Sequence, residues 1–279
     1  MRIFAKSPCL VAEGPCWCAA ERRLYWVDVT GGEVYRQAAD APSDGFERFS
    51  PGLGKIGALS LAGEGEFLLF TERCEIHRTR FGGTPICLAN LPGHEGTRFN
   101  DVFGAGNGVF FCGVAPVRPD VRGELWRFDE KTGRFDCIES ATAGMPNGMG
   151  LSPDRKTFYL IVTDERRIYA YDFDDSAGTV SNRRVLIDGF AADGGPDGMC
   201  VDPKDGSLLV AFWGGARIER RTPDGSLAGV TVFPMPLVTS VTTAGERIYV
   251  TTANYPRDER LHAETGAGGV FVLDRSEVC

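Results

Sequence analysis

The sequence predicts an all-β protein, and more narrowly a six-bladed β-propeller of four-stranded antiparallel blades. Its 36 glycines and 16 prolines favour many short strands and tight turns over helices. No stretch holds a helical hydrophobic period over three turns. Instead, an apolar strand followed by a turn and a second strand recurs six times, at intervals of about 40 to 50 residues. This interval is the length of a propeller blade.

The six repeats account for the whole chain, so residues 1–279 are predicted to form a single domain without a linker. We expect the ring to close when residues near the N-terminus join the final blade, whose last strand is predicted at Gly268–Asp274. A two-sheet sandwich is the alternative, although sandwiches seldom need so many strands. The repeated strands begin at Leu24, Phe67, Val109, Phe158, Leu208 and Ile248.

Composition and charge narrow the choice of partners. A net charge of −8 and a pI near 5.1 argue against nucleic acid or an anionic membrane. No apolar run approaches the roughly 20 residues of a membrane span, and the N-terminus lacks a signal-peptide pattern. We therefore expect a cytoplasmic protein, monomeric or weakly homo-oligomeric. The nine cysteines include no CxxC pair and are predicted to be reduced thiols packed in the core.

Three oxygen-bearing side chains share one position in different repeats. Glu13, Asn147 and Asp197 each lie eleven residues before a repeated strand, and a glycine follows each of them. Because equivalent positions of propeller blades are related by rotation about the channel axis, these side chains should converge at one end of the channel.

Coincidental turns are the alternative explanation, because Pro-Asn-Gly and Pro-Asp-Gly are both good turn sequences. The chain contains its own control in Pro223-Asp224-Gly225, which lies at no such interval and reads as an ordinary hairpin. A single Pro-Asp-Gly is thus weak evidence. The interval shared by three repeats favours a convergent site.

Two carboxylates and one amide carbonyl are hard oxygen donors that suit Ca²⁺, Mg²⁺ or Mn²⁺. Three protein ligands would leave positions open for substrate and water, as in catalytic metal sites. In the third repeat, Arg98, Asn100 and Asp101 stand about ten residues before the repeated strand. Arg98 and Asn100 could hold oxygens of a ligand there, and the alternative is an Arg98–Asp101 pair that stiffens the loop.

The three histidines lie in neither a GxSxG nor an HExxH context, so nucleophilic serine and zinc-protease schemes find no support. His77 reads as a strand residue, while His94 precedes the Arg98 loop closely enough to reach the site.

These residues carry a family likeness. Over essentially its full length the chain resembles the SMP-30/gluconolactonase/regucalcin-like group of six-bladed propeller lactonases. The likeness implies that Glu13, Asn147 and Asp197 bind one divalent cation, with Ca²⁺ the first choice and Zn²⁺, Mn²⁺, Mg²⁺ or Fe²⁺ as alternatives. It also implies that Arg98 and Asn100 hold a sugar lactone and that Asp197 orients or deprotonates the attacking water. The matching motifs are EGPCW, LYWVD, RFND, PNGMGLSPD, SNRR, PDGMCVD and TTA.

The implied function is metal-dependent hydrolysis of a sugar-acid lactone to the open aldonic acid. A dedicated or promiscuous ester or organophosphate hydrolase at the same metal site is one alternative. A non-enzymatic calcium-binding propeller is another, although the Arg98–Asn100 motif beside the ligands argues against a pure binder.

The sequence departs from the family pattern at two positions. Val162 stands where family members often carry an aspartate that braces the site. Arg118 falls at or beside the position of an acidic residue that contacts substrate hydroxyls. We therefore assign Arg118 to substrate binding and expect preference for a lactone with a carboxylate or a different hydroxyl pattern.

Overall fold

A computed structural model describes residues 1–63, 65–94, 96–118, 121–142, 144–190 and 193–278. It confirms the predicted fold class, because six four-stranded antiparallel sheets are arranged as blades in a ring. The first strand of each blade contacts the first strand of the next, so these strands line the channel. Each of the six repeated strands begins within one residue of its predicted start.

The blades follow chain order, with β1 added to the last of them. Blade 1 contains β2 (Ala12–Cys18), β3 (Arg23–Asp28), β4 (Glu33–Ala38) and β5 (Glu47–Phe49), and blade 2 contains β6 (Ile56–Gly63), β7 (Glu66–Thr71), β8 (Glu75–Arg80) and β9 (Ile86–Asn90). Blade 3 contains β10 (Thr97–Gly106), β11 (Val109–Pro116), β12 (Gly123–Asp129) and β13 (Arg134–Thr142), and blade 4 contains β14 (Pro146–Leu151), β15 (Thr157–Val162), β16 (Arg167–Asp174) and β17 (Thr179–Asp188). Blade 5 contains β18 (Gly195–Val201), β19 (Leu208–Trp213), β20 (Arg217–Arg221) and β21 (Leu227–Val232), and blade 6 contains β22 (Val238–Ala244), β23 (Arg247–Thr252), β24 (Val270–Asp274) and β1 (Arg2–Ala5).

The ring closes at the N-terminus, as predicted. Strand β1 pairs antiparallel with β24, and Arg2 stands opposite Val272. The last strand of the chain begins at Val270, two residues after the predicted Gly268. Gly268 has a left-handed φ of 84°, a turn conformation that ends rather than continues a strand.

The second strand of every blade is almost wholly apolar because neighbouring blades cover both of its faces. In β15 the five residues from Phe158 to Val162 are all buried. Aromatic rings join adjacent blades, as where Phe111 of blade 3 meets Phe158 of blade 4 with ring centroids 4.5 Å apart. Sandwiched apolar strands of this kind supply most of the burial that holds a blade against its neighbours.

A short helix, α1 (Glu259–Thr265), interrupts the sixth repeat between β23 and β24. The Asp258 side chain caps it by accepting hydrogen bonds from the amides of Arg260 and Leu261, and Gly266 ends it in a left-handed conformation. At seven residues the helix is too short to produce a three-turn hydrophobic period, so the periodicity did not reveal it. The 3₁₀ turn Arg275–Glu277 follows β24.

The cysteine prediction is confirmed in part. The eight cysteines among the described residues are all free thiols, and Cys9, Cys74 and Cys112 are buried. Cys87 and Cys137 are exposed, because they lie on the outermost strands of blades 2 and 3, so a core role is wrong for these two. In the described part of the chain, no helix is long and apolar enough to cross a membrane.

Candidate active site at the mouth of the channel

Every first strand carries a β-bulge at the same level of the channel. A bulge inserts an extra residue into one strand, bends it and redirects its side chains. Asn147, Asp197 and the Asn100–Asp101 pair lie inside these bulges, and Glu13 borders one. The interval of eleven residues between a predicted ligand and the next repeated strand recurs because each of these blades repeats the same bulge and the hairpin that follows it. The pairing register shifts between Glu13 and Cys16, Ile56 and Ala58, Phe99 and Val102, Pro146 and Met149, Pro196 and Met199, and Val238 and Ser240.

The glycines that follow the bulged residues allow neighbouring blades to approach closely. A Cβ on Gly148 would lie 2.5 Å from the amide nitrogen of Met199 and 2.8 Å from the carbonyl oxygen of Asp197. A Cβ on Gly57 would lie 2.1 Å from the carbonyl oxygen of Phe99. Real Cβ atoms do not approach backbone so closely, and therefore only glycine lets the bulges meet at the channel wall.

We expect Gly148→Ala to lower the free energy of unfolding by about 3 kcal/mol, because the backbone of blade 5 must move away from the new methyl group. Gly245→Ala is the matched control, since nothing lies within 4 Å of its Cβ position and only the strain of its positive φ remains. That strain costs roughly 1 to 2 kcal/mol. Urea unfolding of both variants measures the difference, and equal losses would contradict the packing explanation.

Five of the six predicted site residues line one cavity of about 370 Å³ at the bulged end of the channel. They come from blades 1, 3, 4 and 5, so the blade arrangement brings together side chains far apart in sequence. Asp101, Lys55, Thr163, Trp213 and Tyr255 also line the cavity. The five predicted residues are Glu13, Arg98, Asn100, Asn147 and Asp197.

Hydrogen bonds fix the orientation of the Asn147 amide. Its Nδ2 donates to Asp197 Oδ1 at 2.6 Å and to Thr163 Oγ1 at 3.1 Å. The Thr163 hydroxyl donates its own proton to the Pro196 carbonyl at 2.8 Å, so towards Asn147 it can only accept. Asn147 therefore keeps Oδ1 as an acceptor, and no donor within the described residues occupies that oxygen.

Burial and mutual repulsion raise the pKa values of the carboxyl groups in the cavity. Burial raises the pKa of Asp197 to about 8, with a further increase from Asp101 and opposing effects from the Asn147 hydrogen bond and Arg98. Burial likewise raises the pKa of Asp101 to about 6. The pKa of Glu13 stands well above its ordinary value because of burial and then the charges of Asp197 and Asp101. Arg98 offsets the pKa rise of Glu13 and Asp197 only in part, and a cation would relieve the repulsion among the three carboxyl groups.

The alternative of an Arg98–Asp101 pair does not appear among the described ion pairs. Arg98 Nη1 donates to the Phe99 carbonyl at 3.1 Å, while Asp101 Oδ1 accepts the Val102 amide at 2.8 Å. Burial lowers the pKa of Arg98, partly offset by the nearby charges of Glu13 and Asp197. The charges that act most strongly on the guanidinium are therefore carboxylates of other blades.

Arg118 and His94 lie away from the described lining of the cavity. Arg118 is exposed, and its Nε stands 2.8 Å from the position a Cβ would take on Gly96. His94 Nε2 pairs with Glu124 Oε2 at 2.8 Å, and its Nδ1 lies 2.7 Å from the Pro92 carbonyl. The structure therefore does not bring these two side chains to the five residues above.

His77 lies on β8, as the alternation of its strand indicated, and contacts Glu75. Val162 is 1% exposed and packs in the core of blade 4, so it offers no polar contact to the cavity. The next residue, Thr163, makes the polar contact to Asn147 instead.

Sequence reasoning missed Lys55, Thr163, Trp213 and Tyr255. A signal for Lys55 was available, because it directly precedes Ile56, the blade 2 residue eleven positions before a repeated strand. The described residues contain no group of three or more His, Cys, Asp or Glu side chains in a metal-binding arrangement. The predicted ligand set differs from such a group because it combines two carboxylates with the amide of Asn147.

Comparison with known proteins identifies the family. The model of the SMP-30/Gluconolactonase/LRE-like region matches residues 11–254, most of the chain. The chain belongs to this family. As an SMP-30/gluconolactonase-like protein it shares the propeller of the luciferin-regenerating enzyme, with a TM-score of 0.85 and 26% identity over 97% of this chain and 94% of the other.

Two curated relatives are similar over nearly the whole chain. The pentonolactonase XacC of Haloferax volcanii is 34% identical over 278 residues, covering 96% of this chain and 92% of that protein. The L-arabinolactonase of Azospirillum brasilense is 31% identical over 278 residues, covering 97% of this chain and 90% of that protein.

Proposed function

We propose that this protein is a sugar lactonase that uses one divalent cation held by Glu13, Asn147 and Asp197. The observation that carries the proposal is the convergence of these side chains with Arg98 and Asn100 in one cavity. The names of the pentonolactonase and L-arabinolactonase relatives support a sugar lactone as the substrate class.

The cavity residues fit a hard divalent cation. Two carboxylates and the unengaged Oδ1 of Asn147 supply oxygen donors, and the surplus of negative charge around Arg98 would be balanced by a divalent ion. Ca²⁺ suits such a set, as do Mg²⁺ and Mn²⁺. A cation bound there would supply a Lewis acid for the lactone carbonyl and lower the pKa of a water molecule.

The protein groups then orient the substrate and carry the proton. Asn100 Nδ2 already donates to the Pro146 carbonyl at 3.0 Å, so its Oδ1 is the atom left to accept a lactone hydroxyl. Arg98 retains donors for the ring or carbonyl oxygen. Asp197 Oδ1 accepts from Asn147, and the second oxygen of Asp197 is the one we assign to the proton of the attacking water.

In the reaction, the water oxygen bonds to the acyl carbon and the bond from that carbon to the ring oxygen breaks. The ring oxygen leaves as a hydroxyl after it takes up a proton. A lactone is a strained or activated ester, so no nucleophilic serine or cysteine is needed. We test the substrate class by comparing kcat/KM for pentonolactones and hexonolactones with that for an aryl ester and a phosphotriester. A higher value for either non-lactone would favour the general hydrolase alternative.

Lys55 gives a prediction about substrate charge. Lys55 lines the cavity, and its ammonium forms no hydrogen bond or ion pair with the described residues, so it is available to an anionic group. We expect Lys55→Gln to raise KM for a carboxylate-bearing lactone about tenfold, while KM for a neutral lactone changes little. Arg118→Ala is the comparison, because Arg118 does not belong to the described lining of the cavity. If only Arg118→Ala altered the preference between acidic and neutral lactones, Arg118 rather than Lys55 would be the residue that binds the carboxylate of the substrate.

A further inference from the structure

Three inter-blade hydrogen bonds end at equivalent carbonyl groups. Each carbonyl belongs to the residue directly before one of the proposed metal ligands, and each accepts from a side chain of the preceding blade in the ring. The three bonds are Thr239 Oγ1 to Ala12 O at 2.6 Å, Asn100 Nδ2 to Pro146 O at 3.0 Å, and Thr163 Oγ1 to Pro196 O at 2.8 Å.

By the pairing register, the residues equivalent to Ala12, Pro146 and Pro196 in the other three blades are Ile56, Phe99 and Val238. Phe99 O accepts from Arg98 Nη1 of its own blade at 3.1 Å. Among the described residues, no side chain of a preceding blade donates to these three carbonyls. The inter-blade form of the bond therefore accompanies the proposed ligands.

A hydrogen bond to this carbonyl controls the direction of the ligand side chain. The carbonyl of the preceding residue and the amide nitrogen of the ligand belong to one planar peptide unit. When the hydrogen bond holds this peptide plane, only rotation about the N–Cα bond of the ligand residue can still change the direction of its Cβ. The contact matters most in a bulge, because the strand ladder is interrupted there and no longer fixes the backbone.

We propose that Thr163 and Thr239 are positioning residues that aim Asp197 and Glu13 at the cation, and that the Asn100 amide does the same for Asn147. The inference rests on the proposed metal site. Thr163 has a double role, because one hydroxyl donates to Pro196 O and accepts from the Asn147 amide. It thereby couples the ligands of blades 4 and 5.

The experiment measures binding of the metal alone, without substrate. The variants Thr163→Val and Thr239→Val keep the shape of the side chain and remove the hydroxyl, while Thr163→Ser and Thr239→Ser retain it. Titration calorimetry of the metal-free full-length proteins with Ca²⁺ gives Kd. We expect each valine variant to bind about tenfold more weakly or worse, and each serine variant to stay within about threefold of the unmodified protein.

Thr252→Val is the matched control. Thr252 is as fully buried as Thr239, on the same blade, and its hydroxyl also donates to a carbonyl, Gly269 O at 2.9 Å. It should lower the melting temperature of the metal-free protein without changing Kd. Valine variants at 163 and 239 that lower the melting temperature but bind Ca²⁺ normally would overturn the inference, since they would show a purely structural role.

The serine variants guard against misfolding. If both valine variants unfold, the serine variants still test the inference. Serine variants that fold but bind Ca²⁺ more than tenfold more weakly would contradict it, because the retained hydroxyl would then not be sufficient to aim the ligand. An unmodified protein that binds none of Ca²⁺, Mg²⁺ or Mn²⁺ would refute the proposed metal site together with this inference. Normal binding by the unmodified protein with unchanged binding by the valine variants would refute the inference alone.

Discussion

Replacing Asp197 with asparagine is expected to lower kcat for lactone hydrolysis by about 10³-fold or more, with little change in the fold. Asp197 is assigned two tasks, as an anionic metal ligand and as the group that accepts the proton of the attacking water. Loss of a general base alone typically costs 10² to 10⁴ in rate. Asparagine has nearly the same size, so the carboxylate charge is the property under test.

The chain supplies a matched control in Asp224. It belongs to the same Pro-Asp-Gly sequence, but it is exposed in a hairpin turn, where it accepts from the Thr222 hydroxyl and the Ser226 amide. Asp224→Asn should therefore retain full activity. Steady-state kinetics on a pentonolactone compares the two variants. Comparable activity in both would show that the Asp197 carboxylate has no part in the reaction.

The second large effect is on stability, and its direction follows from the raised carboxyl pKa values. In the metal-free folded protein Asp197 has a pKa of about 8, whereas in the unfolded chain an aspartate has a pKa of about 4. The folded state therefore binds more protons between these values, so this group makes the metal-free protein progressively less stable as pH rises from about 4 to 8. Glu13 acts in the same direction.

A bound cation replaces those protons, so its stabilising effect should grow over the same pH range. At a metal concentration of about 100 Kd, binding contributes about 2.7 kcal/mol to the free energy of unfolding. We expect the rise in melting temperature on adding Ca²⁺ to be clearly larger at pH 8 than at pH 5.5. The measurement is differential scanning fluorimetry of the chelator-treated protein. An equal rise at both pH values would mean that the metal does not bind at these carboxyl groups.

Much of the fold was predictable because the repeated strands are buried on both faces. A run such as Phe158–Val162 contains only aliphatic and aromatic residues, and its recurrence at blade spacing indicates both strand position and blade number. Closure through the N-terminus was also foreseen. Helix α1 was not predicted, because its seven residues are too few to show a hydrophobic period. Its ends are instead marked by the capping residues Asp258 and Gly266.

The site was predictable only where a side chain recurs at a repeated position. Glu13, Asn147 and Asp197 could be found because each follows the same register of bulge and hairpin. Thr163 could not, because it lies after the second strand of its blade and acts through a hydrogen bond to a carbonyl of the next. Such contacts depend on the distance between two blades. Glycines such as Gly148 set that distance, and the spacing of residues in the sequence does not reveal it.

Arg118 shows the limit of placement by family likeness. Its exposed side chain lies against Gly96, outside the described lining of the cavity, so its assignment to substrate binding stays a prediction. The position of a loop residue cannot be predicted from the repeat of the strands. Lys55, in contrast, directly precedes a bulged strand and lines the cavity.

The most direct test of the central claim is lactone hydrolysis with and without metal. The protein is treated with EDTA, freed of chelator and assayed with a pH indicator on pentonolactones and hexonolactones. Ca²⁺, Mg²⁺, Mn²⁺ and Zn²⁺ are then added back singly. The account predicts that hydrolysis falls to the uncatalysed rate without metal and returns with at least one of these ions. Full activity after complete removal of metal would contradict it, and a metal-loaded protein inert on every lactone would favour the non-enzymatic binder.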